Sequence, residues 1–198
     1  MRKRIILLLM IFAVVISSAL YSCTDKPVDV EVNMTDSEGD LQTASDAKDE
    51  NVSNVDTNTA PDFTVKDSDN NDIKLSDKFG KPIIVNIWAT WCGPCLSELP
   101  AFNSLADKYK DDISFMMVNL TDNTMDTIDA VKEFTANKGY TFPVYYDTEG
   151  SAAQAYNVFS IPLTIFIDEN GNVKDQHVGS MSEDILQGYI DELLKKDS

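Results

Sequence analysis

Pro82-Ile83-Ile84-Val85-Asn86-Ile87-Trp88 is a near-continuous apolar, β-branched run. Three residues later comes Trp91-Cys92-Gly93-Pro94-Cys95, and then an amphipathic stretch from Leu96 to Tyr109. An apolar run of this length reads as a strand buried on both faces. Leu96, Leu99, Phe102, Leu105 and Ala106 fall at helical spacing, so the two cysteines sit where a strand turns into a helix. A thiol at a helix N-terminus meets unpaired N–H groups and the positive end of the helix dipole, which favour its thiolate. A second thiol one turn on lies close enough to close a disulfide with the first and so release a bound partner. Cys-x-x-Cys in this setting is the local geometry of a dithiol redox centre. A structural zinc site would need four ligands, and beyond this pair the chain holds only Cys23 and His177 as further cysteine or histidine, so no metal is expected. Met116 and Met117 lie in an apolar run and read as core rather than as thioether ligands.

Outward from the motif the alternation of strand and helix continues. Phe63–Lys66 and Asp72–Leu75 flank Ser68-Asp69-Asn70-Asn71 and read as a hairpin, followed by a short turn or helix over Ser76–Phe79. Ile113–Leu120 is a second buried strand. Thr127–Asn137 reads as a helix stopped by Gly139, Val144–Tyr146 as a short strand and Ser151–Tyr156 as a short helix. Leu163–Ile167 and Asn172–Val178 flank Asp168-Glu169-Asn170-Gly171, a hairpin turn signal. Ser182 caps a last helix whose Ile185, Leu186, Ile190, Leu193 and Leu194 are expected to face the core. Pro100 should bend the helix that carries it. These elements imply an α/β architecture with a mixed central sheet flanked by helices, an N-terminal hairpin and an inserted helix.

The N-terminus carries a different message. Met1-Arg2-Lys3-Arg4 is basic, and every residue from Ile5 to Ile16 is apolar. That run is short of the ~20 residues that a membrane span needs, and small residues follow it, as in a secretory signal. Leu20-Tyr21-Ser22-Cys23 is similar to a bacterial lipobox, in which the cysteine is lipidated and becomes the first residue of the mature chain. An uncleaved anchor and an ordinary signal peptide with an incidental cysteine are the alternatives, and all three place the domain outside the cytoplasm. Thr24–Thr59 holds ten acidic residues, two lysines and no aromatic, a composition that cannot offset its ordering entropy by apolar burial. The expected organisation is thus a signal peptide over residues 1–22, a lipid-anchored acidic linker over 23–60 and one globular domain over 61–198. About 37 flexible residues would reach ~30–35 Å.

The first 22 residues hold three of the 16 basic residues and none of the 33 acidic ones, so their removal deepens the net charge from −17 to −20 and leaves no arginine. Nucleic-acid binding is excluded on that ground, since phosphate contacts need Lys/Arg clusters. Attraction to anionic lipid is excluded as well, and membrane attachment falls to Cys23.

The stretch from Ile83 through Trp91-Cys92-Gly93-Pro94-Cys95 to Glu98-Leu99-Pro100 resembles the TlpA/ResA group of membrane-tethered, thioredoxin-like proteins, and the likeness extends from about Pro61 to Leu194. The resemblance implies a thioredoxin-like fold and an extracytoplasmic thiol–disulfide oxidoreductase that needs no cofactor beyond its own Cys92–Cys95 disulfide. Its implied partners are protein thiols or disulfides, such as apocytochrome c or a redox-repair enzyme, and a membrane thiol carrier as electron donor. Cys92 matches the exposed nucleophile of the group and Cys95 its resolving thiol. Trp91, Gly93, Pro94, Ile161 and Pro162 match positions that meet substrate, with Pro162 the cis-proline opposite the disulfide. Glu98, three residues after Cys95, matches an acid that tunes the thiols. Asn86 stands where cytoplasmic thioredoxins keep a buried aspartate. His177 reads as structural or exposed.

Three other functions compete. A thiol peroxidase of the peroxiredoxin type would carry proline at Val85 and threonine at Ala89 relative to Cys92, and an arginine to hold the thiolate; the mature chain has none of these. A Sco-type copper chaperone would need Cys-x-x-x-Cys and a partner histidine. A non-catalytic lipoprotein that keeps the fold only for protein binding is the third alternative, and the intact Cys-x-x-Cys pair argues against it.

Overall fold

The computed structural model describes residues 58–195. Its elements, in chain order, are β1 (Thr64–Lys66), β2 (Asp72–Lys74), a 3-10 turn (Leu75–Lys78), β3 (Ile83–Trp88), α1 (Gly93–Lys108), β4 (Ser114–Asn119), α2 (Ile128–Lys138), β5 (Val144–Tyr146), α3 (Ser151–Ala155), β6 (Leu163–Ile167), β7 (Val173–Val178) and α4 (Glu183–Leu193). Seven strands form one sheet in the order β2-β1-β5-β4-β3-β6-β7. β3, β4 and β5 run parallel, while β1, β6 and β7 join antiparallel, so the sheet is mixed as the alternation of elements predicts. This is a thioredoxin-like fold.

The central position of β3 follows from its sequence. All six of its residues are buried, and alternate side chains feed two separate cores. Ile84 and Trp88 join Phe115, Met117 and Phe166 beneath Leu99, Phe102 and Leu105 of α1 and Leu186, Ile190 and Leu193 of α4. Ile83, Val85 and Ile87 join Met116, Val118, Ile165 and Ile167 on the opposite face, covered by Ala152 of α3 and by Phe63, Val65 and Leu75. Met116 and Met117 are therefore core on opposite faces. The parallel register sets Ile87 against Val118 and Trp88 against Asn119, and on the other side β6 sets Thr164 against Asn86. Thus one face of the sheet carries a short polar layer near the C-terminal end of β3, directly below the cysteines.

Helix ends obey the local code. Thr127 accepts a hydrogen bond from the Ala130 N–H at 3.2 Å, and Gly139 closes α2 in the left-handed region at φ 70°. Ser182 caps α4 through the Ile185 N–H at 3.4 Å. The helical assignment of α1 is unbroken across Pro100.

Two expectations need correction. The folded domain starts earlier than Pro61. Asn58 accepts from the Val173 N–H at 2.9 Å, Ala60 donates to Gly171 at 2.8 Å, and Thr59 bridges Asn172. These residues cap the β6–β7 hairpin through backbone bonds, which composition does not reveal. The second concerns Ile185, which is 49% exposed. The buried stripe of α4 is Leu186, Ile190 and Leu193, at spacing i, i+4 and i+7, and Ile185 lies about 100° off that stripe. Residues 1–57, including the signal segment, Cys23 and nearly all of the acidic linker, lie outside the described residues.

Candidate active site

β3 delivers the chain to a three-residue loop, Ala89-Thr90-Trp91, and Cys92 then forms the N-cap of α1. Its Sγ accepts the Cys95 N–H at 3.2 Å, so the sulfur occupies the place that a capping oxygen takes elsewhere. Pro94 stands in the first turn, where its missing N–H would have been unpaired in any case. Cys92 and Cys95 are joined as a disulfide, with Cα atoms 5.2 Å apart. Cys92 is the more accessible of the pair at 6%, against 0% for Cys95, so only the first sulfur can be reached from outside. In the disulfide state even that exposure is small. Gly93 and Pro94 are exposed and Trp91 is 50% exposed, so they form the outer lip of the site.

The opposite lip is the segment before β6. Ile161–Pro162 is a cis peptide, and the Ile161 carbonyl oxygen lies 3.7 Å from Cys92 Sγ. Without an S–H in the disulfide this is a contact. In the dithiol state the same pair of atoms could form an S–H donor to the carbonyl. Loops some seventy residues apart in sequence are thus brought together across one sulfur.

Glu98 lies one turn after Cys95 on the same buried side of α1 and is 1% exposed. Its Oε1 accepts from Asn86 Nδ2 at 2.9 Å and its Oε2 from the Met181 backbone N–H at 2.9 Å. Burial disfavours the charge and raises the pKa; the bonds from Met181 and Asn86 favour the carboxylate and pull the other way. The balance leaves Glu98 at about 7. A buried carboxyl that titrates near neutrality beside a thiol pair can hold or release a proton there. Asn86 also donates to Thr164 Oγ1 at 3.0 Å. Asn86 thus links Glu98 of α1 to Thr164 of β6 through one amide group.

One part of this assembly escapes a sequence reading. Asp126, fully buried in the loop before α2, accepts from the Thr90 N–H at 2.9 Å, from the Thr90 hydroxyl and from Asn119 Nδ2 at 2.8 Å. Asn119 Oδ1 in turn accepts from the Thr121 hydroxyl at 2.9 Å. Asp122 Oδ1 meanwhile accepts the N–H groups of Thr124, Met125 and Asp126, and these bonds hold its pKa down at about 2. The corner leading to Cys92 is thus pinned from the side by the inserted segment. In the sequence Asp122-Asn123-Thr124-Met125-Asp126 reads only as a polar loop. His177 is partly buried, its Nδ1 3.4 Å from the Tyr189 hydroxyl, on a strand that contributes nothing to the disulfide.

Three kinds of comparison place this geometry among known proteins. The Redoxin family model matches residues 56–191. The thioredoxin-like protein YneN of Bacillus subtilis is 37% identical over 67% of this chain and 76% of its own length. The thiol-disulfide oxidoreductase ResA of Geobacillus kaustophilus is 35% identical over 68% of this chain and 76% of its own. The solved structure of an exposed lipoprotein thioredoxin from Streptococcus pneumoniae superimposes with a TM-score of 0.57 at 31% identity, covering 66% of this chain and 98% of that one.

Proposed function

Because the chain belongs to the Redoxin family and is a thiol–disulfide oxidoreductase of the ResA type, we propose that it works as a lipid-tethered reductant of protein disulfides outside the cytoplasm. The observation that carries the reading is the asymmetry of the pair: one sulfur at the helix cap and under the Ile161 carbonyl, the other sealed behind it, with the buried Glu98 carboxyl one helical turn further along.

In this mechanism the reduced protein holds Cys92 as a thiolate, favoured by the N–H groups of the first turn of α1. The thiolate attacks a substrate disulfide. One substrate S–S bond breaks, a Cys92–substrate S–S bond forms, and one substrate sulfur leaves and takes a proton. Ile161 and Pro162 hold the substrate backbone beside the mixed disulfide, and Trp91, Gly93 and Pro94 meet its other side. Glu98 takes the Cys95 proton, and the Cys95 thiolate attacks Cys92 Sγ. The mixed disulfide breaks, Cys92–Cys95 closes, and the second substrate thiol departs. Two electrons have passed from the dithiol to the substrate. Of the two protons on the substrate thiols, one comes from Cys95 by way of Glu98 and the other from solvent, which took the Cys92 proton when its thiolate formed. A membrane thiol carrier returns the pair to the dithiol state. Gly93-Pro94, the dipeptide of reducing thioredoxins, supports this direction.

Lipidation at Cys23 and the acidic linker would keep the domain within tens of ångströms of the membrane carrying its electron donor. The pneumococcal neighbour is described as an exposed lipoprotein, which fits the same arrangement. Cys23→Ala should release the protein from the membrane or block its processing and leave dithiol activity in solution intact. Cys95→Ser should trap substrate covalently on Cys92, and Cys92→Ser should trap nothing. Equal trapping by both, or adducts on Cys95, would overturn the assignment of nucleophile and resolving thiol.

A further inference from the structure

Large apolar side chains left in water are few among the described residues: Trp91, Met125, Phe159, Val178 and Ile185. Two of these five, Trp91 and Phe159, lie on the loops that meet at the disulfide, and a third, Met125, lies on the loop hydrogen-bonded to Thr90. Phe159, 96% exposed, stands two residues before Ile161, whose carbonyl contacts Cys92. Met125, 62% exposed, directly precedes Asp126, which binds the Thr90 N–H two residues before Cys92. Each therefore begins no more than two peptide units, about 7 Å, from a residue bonded or packed against the Trp91–Cys92 corner.

The charge pattern agrees. A quarter of the chain is charged, yet residues 82–97 and 151–167, the two segments that frame the disulfide, contain no charged residue. An aromatic ring exposed almost completely contributes nothing to its own domain's core, and exposed aromatic and methionine side chains around a cleft are a feature of protein-binding surfaces. Methionine in particular adapts to varied partners. The occupant follows from the chemistry of the site. Any sulfur that bonds Cys92, which is only 6% exposed, must bring its neighbouring residues against these loops.

Resting on the oxidoreductase reading above, we propose that Phe159 and Met125, together with Trp91, form an apolar rim that selects cysteines flanked by bulky apolar side chains in an extended chain. Such segments are exposed in unfolded chains, because in a finished fold the flanking residues are buried. Phe159 sets the preference on the Pro162 side of the sulfur, and Met125 sets it on the Trp91 side.

The test uses the full-length, prereduced protein and two synthetic peptides, each with one cysteine held as a mixed disulfide with glutathione. One has Leu and Phe flanking the cysteine, the other Ser and Asn. Stopped-flow rate constants should favour the apolar peptide by about tenfold, the discrimination expected of a few buried methylenes. Phe159→Ser and Met125→Ser should each reduce that ratio to about threefold, and the double variant should bring it near one. A ratio near one in the wild-type protein, or one that the double variant leaves unchanged, overturns the rim and leaves the oxidoreductase reading standing. Failure of the wild-type protein to reduce either peptide and oxidised glutathione overturns both.

Discussion

The two sides of the disulfide are built on opposite plans, although each contains one fully buried carboxylate. In front of Cys92, Asp126 gathers three donors, two of them from Thr90, and holds the loop from β3 to α1 in place. Behind Cys95, Glu98 has only two neutral donors, Asn86 and Met181, and burial outweighs them, so it stands near pH 7. The first carboxylate fixes geometry through its three donors, and the second, its pKa pushed up by burial to about 7, can take or give a proton there.

The sharpest way to break this division is at the sulfurs. Cys92→Ser should abolish disulfide reduction altogether, whereas Cys95→Ser should permit one attack and no release; product assays and intact-mass measurement distinguish them. Next in size is the anchor. Asp126→Ala leaves the Thr90 N–H, the Thr90 hydroxyl and the Asn119 amide without their acceptor and should cost about 3 kcal/mol of stability in urea titrations. The cysteine pair's reduction potential should shift as the loop loosens. A potential identical to wild type in a variant that has lost this stability would show that the anchor serves the fold alone.

How much of this was legible in the sequence depended on the range of the signal. Periodicity and turn chemistry located β3, the hairpins and the helices because they are local, and Cys-x-x-Cys at a strand–helix junction carried its own chemistry. Glu98 was visible only through the family resemblance, and its partner Met181 lies 83 residues away, with nothing in the sequence to join them. Asp126 was invisible because its meaning lies in a contact with Thr90, 36 residues back. Ile185 failed in the opposite sense: an apolar residue in an amphipathic helix invited a core assignment that its angle on the helix does not permit.

Glu98 provides the pH test. Its folded-state pKa, about 7, stands above the ordinary 4.5. Between those values the folded protein binds more protons than the unfolded chain, so stability should fall as pH rises through this window, by about 2–3 kcal/mol. Asp147, raised by its own burial, adds to the same slope, so the quantity to measure is wild type minus Glu98→Gln. Glu98→Gln should flatten its share of the slope and remove the inflection near pH 7 from the alkylation rate of the reduced thiols. Below about pH 4 Asp122 contributes in the opposite sense, because it must be protonated against the bonds from Thr124 and the N–H groups of Met125 and Asp126 that favour its charge. A variant with the wild-type slope and inflection would assign Glu98 to helix packing only.

The smallest expected effect tests whether the sheet side of this layer matters for chemistry. Thr164→Val removes the hydroxyl that accepts from Asn86 and keeps the side chain's shape. One buried donor loses one of its two acceptors, which should cost about 1 kcal/mol. Asn86 keeps its bond to Glu98, and the Met181 N–H is untouched, so the two donors that favour the carboxylate survive. The inflection near pH 7 should therefore stay within about 0.3 units of wild type, since one unit corresponds to about 1.4 kcal/mol of differential stabilisation. If Thr164→Val instead moves the inflection as far as Glu98→Gln alters it, Asn86 is held in position by β6 rather than by the carboxylate. The proton store behind Cys95 would then be as dependent on a fixed anchor as the loop in front of Cys92.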